Sequence, residues 1–125
     1  MPRRKQLRDH VLKAAAIAAV LIAAPAATAQ GKTVPYPEAL NCAALTSAAA
    51  RIGKGTPQES VLFDHQIFWS MAAADAGRAA GKTARSVEAE AKAASGGAEQ
   101  RLRAQDGAAT SALAACVAGV PAVQD

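Results

Sequence analysis

Residues 56–81, TPQESVLFDHQIFWSMAAADAGRAAG, are the stretch that decides the fold of this chain. Thr56 is a residue type that caps the free amides of a helix, Pro57 suits the first helical position, and Glu59 stands where a capping box has its carboxylate. Apolar residues then recur at helical spacing up to Gly81, a residue that often ends helices. The members of this stripe, with one histidine among them, are Val61, Leu62, His65, Phe68, Trp69, Ala72, Ala73 and Ala76. The sequence therefore predicts a helix from Pro57 to about Ala80.

The bulkiest side chains of the helical region are concentrated in this one helix, as Phe63, Ile67, Phe68, Trp69 and Met71. On a helical wheel, Phe63 and Ile67 lie far from the Leu62–Trp69 line, so one side of the helix cannot bury all of them. Two interpretations stay open. Either the other helices surround this one, or one edge of it is exposed as an interaction surface for another protein.

Further helices are predicted before and after this stretch. They cover residues 38–52, ended by Gly53; 84–94, capped by Thr83 or Ser86; and 98–118, ended by Pro121. Gly107 lies inside the last of these and weakens it by about 1 kcal/mol relative to alanine. No run of alternating β-branched or aromatic residues predicts a strand. The fold class is therefore all-α: a small bundle of four helices, or of three if the last two merge.

Residues 82–112 contain few side chains that could form a hydrophobic core, since Val87 and Leu102 are their only large apolar residues. The segment is rich in alanine and in charged residues, which have helix propensity but little apolar area to bury. We expect it to protrude or to be the least stable part of the domain, with Gly96-Gly97 as a hinge.

The first 29 residues have the three-part layout of a secretory signal peptide. A basic head precedes an uncharged apolar stretch of 11 residues, Ala14–Ala24, and then the small-x-small pattern Ala27-Thr28-Ala29. The apolar stretch is short of the roughly 20 residues that span a bilayer. The sequence therefore predicts export to the periplasm or out of the cell, cleavage after Ala29 and no stable membrane anchor. Residues 30–36 are then a flexible leader, 37–120 the helical domain and 121–125 a tail.

Removal of this segment changes the charge of the chain. All 125 residues carry a net charge of +4, from 14 basic and 10 acidic residues. Five of the basic residues and one acidic residue, Asp9, lie in the first 29 residues, which leaves nine of each sign in residues 30–125. Binding to nucleic acid or to an anionic membrane needs a basic face. We therefore expect neither as a partner.

The two cysteines, Cys42 and Cys116, lie near opposite ends of the predicted helical domain. In an oxidising compartment two cysteines of a small domain usually pair. A disulfide closing so long a loop stabilises the fold by about 4 kcal/mol in the chain-entropy model. The sequence contains neither Cys-x-x-Cys nor Cys-x-x-Cys-His, so thioredoxin-like chemistry and covalent haem attachment have no motif here. We predict a structural disulfide, with no cofactor and no metal site.

His65 is the only histidine after the predicted signal peptide, which makes it the one candidate for acid–base chemistry by an imidazole. A catalytic histidine needs a nucleophile and an orienting carboxylate close by. Asp64 adjoins it in sequence but points about 100° away around a helix. We predict no catalytic residue, and we regard His65 as a possible pH-sensitive residue because imidazole changes charge near pH 6.5.

Taken together, these features predict a small exported protein that is not an enzyme and that acts by binding another protein. It would serve as an adaptor, an inhibitor or a small chaperone, with an unknown partner and an open oligomeric state. Two alternatives are an envelope structural or stress protein without a defined ligand, and a small hydrolase-type enzyme that uses His65.

Overall fold

The computed structural model describes residues 34–122, and in that part of the chain it contains four α-helices and no strand. They are α1 Tyr36–Ile52, α2 Glu59–Ala79, α3 Ala84–Arg103 and α4 Gly107–Ala118. The predicted all-α class is confirmed for these residues. The predicted signal peptide, residues 1–29, lies outside the described residues, as do 30–33 of the predicted leader and 123–125 of the predicted tail.

Helix α1 is the centre of the bundle, and the other three helices pack around it. Its small side chains allow this, because alanines are buried on most of its circumference: Ala39, Ala43, Ala44, Ala48 and Ala49. Leu45 and Thr46 are the largest fully buried side chains. The Thr46 hydroxyl donates to the Cys42 carbonyl at 2.7 Å, so burying it leaves no polar group unsatisfied.

Helix α2 begins two residues later than predicted, because Thr56 and Pro57 belong to the preceding turn. The Thr56 hydroxyl donates to the Gly53 carbonyl at 2.6 Å instead of accepting from a helix amide. Glu59 Oε2 accepts the Gly55 amide at 3.1 Å and so holds the turn from the helix side. The predicted capping box is therefore wrong, although both of its polar side chains organise this junction.

Helix α3 is longer than predicted and does not protrude. It continues through Ser95, Gly96 and Gly97 to Arg103, so the predicted helix end and hinge are wrong. The buried Ser95 hydroxyl donates to the Lys92 carbonyl at 3.0 Å and accepts from Arg51 Nη2 at 3.3 Å, which fastens the middle of α3 to α1. The predicted cap is confirmed at its start, where Thr83 Oγ1 accepts the Ser86 amide at 3.1 Å.

The last two helices are separate, because the chain turns at residues 104–106. Gln105 adopts a left-handed backbone conformation with φ of 57°. Asp106 then caps α4, its Oδ1 accepting the Ala108 amide at 2.9 Å and the Ala109 amide at 3.5 Å. The predicted continuous helix over 98–118 is wrong, because an aspartate cap stabilises a new helix start directly before Gly107.

Three of the helices meet at one covalent crosslink. Cys42 of α1 and Cys116 of α4 form the predicted disulfide, with their Cα atoms 5.5 Å apart. Trp69 of α2 donates its indole N–H to the Cys116 carbonyl at 2.8 Å. The tryptophan is only 4% exposed, so its single polar atom is satisfied inside the core.

Candidate interaction surface

Helix α2 carries a row of exposed large apolar side chains, Phe63, Ile67 and Met71, which we call the apolar ridge. Their exposed fractions are 54%, 44% and 63%. The three residues follow one another at spacings of four, so they lie on adjacent turns of one helix face. The face is not covered by any other helix of the part of the chain that the structure describes.

The other two residues of the predicted interaction surface belong to the core. Trp69 is buried against α4, and Phe68 is half-buried with its ring edge-to-face to Trp69, the ring centroids 5.2 Å apart. Because α1 and not α2 is the central helix, α2 buries one side and exposes the other. The structure thus divides the predicted surface into a buried aromatic pair and an exposed ridge.

A groove runs beside the ridge between α2 and α3, with α1 as its floor. It consists of two adjoining cavities of about 280 Å³ and 250 Å³ that share Ala43, Ser70, Glu88 and Ala91. We call it the α2–α3 groove. Most of its lining is alanine or serine, and its remaining members are Ser47, Arg51, Ala73, Ala74, Ala84, Val87, Lys92 and Ser95.

The ridge and the groove form one continuous surface. Ser70 of the groove wall lies three residues after Ile67, and Ala74 lies three residues after Met71, so both are on the same face of α2 as the ridge. Large side chains therefore stand directly beside a concave strip of small ones.

A polar network closes the groove at the end near Ser95. Arg51 Nη2 donates to the Ser95 carbonyl at 3.2 Å, and Arg51 Nε lies 3.4 Å from Glu99 Oε2. The Glu99 carboxylate also accepts from Arg103 at 3.1 Å. The hydrogen bond from Arg103, with the nearby charge of Arg51, holds the pKa of Glu99 below its usual value. This network joins α1 to α3 and fixes the width of the groove there.

A second polar cluster ties the start of α1 to α3. The Tyr36 hydroxyl donates to the Glu90 carboxylate, and Lys82 Nζ lies 3.2 Å from Glu90 and 5.0 Å from the centre of the Tyr36 ring. Desolvation, followed by the hydrogen bond to Glu90 and then by the Glu90 charge, raises the pKa of Tyr36 to about 12. The hydrogen bonds from Tyr36 and Lys82 lower the pKa of Glu90. These contacts have a structural role, because they hold together two elements that are far apart in sequence.

His65 is half-buried on α2, and its Nδ1 atom is buried without a hydrogen-bond partner among the described residues. Asp64 is exposed on another side of the helix. Residues 34–122 hold no group of three or more histidine, cysteine or carboxylate side chains able to bind a metal ion. The predicted pH-sensitive role of His65 stays a prediction.

Sequence reasoning missed the α2–α3 groove. Its lining comes from three helices, and alanine and serine are residue types that give no functional signal of their own. The one available signal was the spacing of Ser70 and Ala74 from Phe63 and Ile67, which places small residues beside large ones on a single helix face.

Comparison of the chain with models of known protein families, with curated proteins and with solved structures finds no match in any of the three. None of the helices within residues 34–122 combines the length and the apolar character that crossing a bilayer requires. The surface geometry is therefore the basis of the functional proposal.

Proposed function

We propose that this chain is an exported, non-catalytic interaction protein that binds other proteins through the apolar ridge. The observation that carries the proposal is the exposure of Phe63, Ile67 and Met71 together on one face of α2. Contiguous apolar surface on a folded protein marks sites where another molecule is bound. An adaptor, an inhibitor or a small chaperone would each use such a surface.

The anchoring of α2 to the core supports this proposal. Directly behind the ridge, Trp69 is anchored to the Cys116 carbonyl, and Cys116 is bonded to Cys42 of the central helix. A ridge held in this way loses little conformational freedom when a partner binds, which favours affinity. The disulfide also supports export, because such bonds persist in oxidising compartments.

Site-specific photo-crosslinking tests the proposal. A benzophenone amino acid is placed at position 67 of the full chain in its source cell, and the matched control places it at position 61. Val61 is 54% exposed on α2 but lies about 160° around the helix from Phe63, so it is comparably accessible and outside the ridge. We expect adducts with other proteins from position 67 and few from position 61.

Two results would contradict the proposal. One is equal labelling from both positions, which would indicate non-specific contact. The other is no protein adduct from position 67 under conditions where the chain is abundant and folded, which is the outcome expected of an envelope protein without a ligand.

A further inference from the structure

We infer that a second copy of this chain occupies the α2–α3 groove, each copy laying its apolar ridge in the groove of the other. The inference rests on the proposed function, because it names one protein partner for the same ridge. The observation behind it is the placing of a row of large side chains and a groove of small ones side by side on one face.

This face is self-complementary in shape. Because Ser70 and Ala74 belong both to the groove wall and to the ridge face of α2, the groove lies immediately to one side of the ridge. A two-fold axis along that boundary, roughly parallel to α2, brings each ridge over the groove of the other copy. A contact of this kind uses the same patch on both copies and therefore closes at the dimer. Large side chains packed between small ones also follow the ridges-into-grooves rule for helices.

The axis also determines which side chains face each other. Rotation about a line parallel to α2 keeps the two copies of α2 parallel and at the same height. The second α2 then lies above the groove, between the first α2 and α3, with its outer flank turned toward α3. Asp64 and Asp75 lie on this flank, one residue after Phe63 and four after Met71, and both are exposed.

Measured along the axis of α2, basic residues of α3 lie level with these two carboxylates. Gln66 Nε2 donates to Ser47 Oγ at 3.4 Å, and Ser47 lines the same cavity as Lys92. Lys92 is therefore level with the first half of α2. At the other end of the groove Ala74 and Ala84 line one cavity, and Arg85 follows Ala84. In the dimer Asp64 of one copy faces Lys92 of the other, and Asp75 faces Arg85.

The charges of these four side chains favour this pairing. Asp64, Arg85 and Lys92 are exposed, and none of them forms an ion pair within residues 34–122. Asp75 pairs only with Arg78, at 3.3 Å on the open surface. Residues 30–125 carry equal numbers of basic and acidic residues, so two copies do not repel each other through their net charge.

Sedimentation velocity tests the inference. The full chain is expressed in a compartment that oxidises its cysteines, and it is purified in the form that the cell produces. We expect a concentration-dependent dimer. Ile67→Glu places a charge in the apolar contact and should weaken dimerisation by about 30-fold or more, the scale of a central interface residue. Val61→Glu adds a charge on α2 outside the apolar ridge, three residues before Asp64, and should weaken dimerisation much less than Ile67→Glu does. Far-UV circular dichroism verifies that both variants are helical.

A charge-reversal cycle tests the arrangement. Lys92→Glu and Asp64→Lys should each weaken the dimer by about three- to tenfold, and the double variant should regain most of the loss. Lys54→Glu, in the turn before α2, serves as the charge control. A double variant that dimerises no better than the single ones overturns the inference, and so does a chain that stays monomeric at the highest concentration.

These results separate the inference from the function it rests on. A monomeric chain that still crosslinks other proteins from position 67 keeps the proposed function and loses the second copy as partner. A dimer whose only adduct from position 67 has twice the mass of the chain keeps the inference and removes the binding of other proteins.

Discussion

Tyr36 shows at the scale of one residue how a polar contact replaces apolar area in this protein. It is half-buried at the start of α1, where its hydroxyl meets Glu90 of α3 and its ring lies under Lys82. The three side chains come from positions separated by up to 54 residues. They therefore fasten α3, whose own sequence offers few large apolar residues, to the central helix.

The ionisation of Tyr36 gives a direct test of this contact. Tyr36 is the single tyrosine of the chain, so ultraviolet absorbance of phenolate reports it alone. We expect its midpoint near pH 12 in the folded protein, because burial and the Glu90 carboxylate both disfavour the phenolate. The same titration of Glu90→Gln should give a lower midpoint. A midpoint near pH 10 in the unchanged protein would show that the contact is absent in solution.

The same cluster makes stability depend on pH at both extremes. Tyr36 has a folded pKa raised above its ordinary value of 10.0, so its contribution to stability is complete below about pH 10 and is lost as the pH rises toward 12. Glu90 has a lowered folded pKa, so its contribution is present above its ordinary pKa and is lost on acidification. Replacing Tyr36 by phenylalanine should remove the alkaline loss measured by urea unfolding.

At the scale of the helices, close approach of backbones decides where glycine is required. A Cβ atom at Gly77 of α2 would stand 2.4 Å from Val87 Cγ2 of α3 and 3.2 Å from the Tyr36 ring. Gly96 and Gly97 of α3 have no atom within 4 Å of such a position. The first glycine lets two helices meet, whereas the other two are solvent-facing.

Two alanine substitutions should therefore have opposite effects. Gly77→Ala forces α2 and α3 apart and should lower the free energy of unfolding by about 1–3 kcal/mol. Gly96→Ala adds a methyl group facing solvent in the middle of a helix and should raise it by about 0.5–1 kcal/mol. Urea unfolding of both variants checks this. A stable Gly77→Ala variant would mean that the close contact of α2 with α3 does not exist.

These glycines also explain which elements could be predicted from the sequence. Gly53 and Gly81 follow apolar stripes and stand where α1 and α2 end or the next turn begins, so that part of the prediction is confirmed. Gly96-Gly97 and Gly107 have similar neighbours in sequence. Gly96-Gly97 lie inside α3, where Arg51 of another helix donates a hydrogen bond to Ser95. Gly107 begins α4, because Asp106 caps that helix. A contact from 44 residues away has no local signature.

The candidate surface was predictable only in part for a similar reason. The helical wheel separates Phe63 and Ile67 from Trp69, and this separation is a local property of the sequence. Which side of α2 is covered depends on α3 packing against α1 instead of against the ridge. The alanines of α1 that permit this arrangement are uniform along the helix and indicate no preferred neighbour.

At the scale of the whole molecule, the disulfide supplies a large share of the stability that so small a core can reach. The buried core is mostly alanine, with Leu45 and Trp69 among its few large members. Reduction of the Cys42–Cys116 bond opens a loop spanning 74 positions and should lower the free energy of unfolding by about 4 kcal/mol. Urea unfolding with and without reductant measures the difference.

A double replacement provides the control for reduction. Cys42→Ala with Cys116→Ala removes the crosslink and should respond to urea as the reduced protein does, with no further effect of reductant. If reductant shifts the unfolding midpoint of this variant, or leaves that of the unchanged protein in place, the crosslink does not contribute as the structure indicates.

The position of that bond has a mechanical consequence. Cys42 lies in the second turn of α1 and Cys116 in the last turn of α4, so a tension applied between residues 34 and 122 passes from one sulfur to the other. Helices α2 and α3 lie outside this path, so the tension is not transmitted through them. If the chain were pulled by its two ends, the ridge and the groove would keep their shape. The same force would separate the helices of a bundle that has no such disulfide.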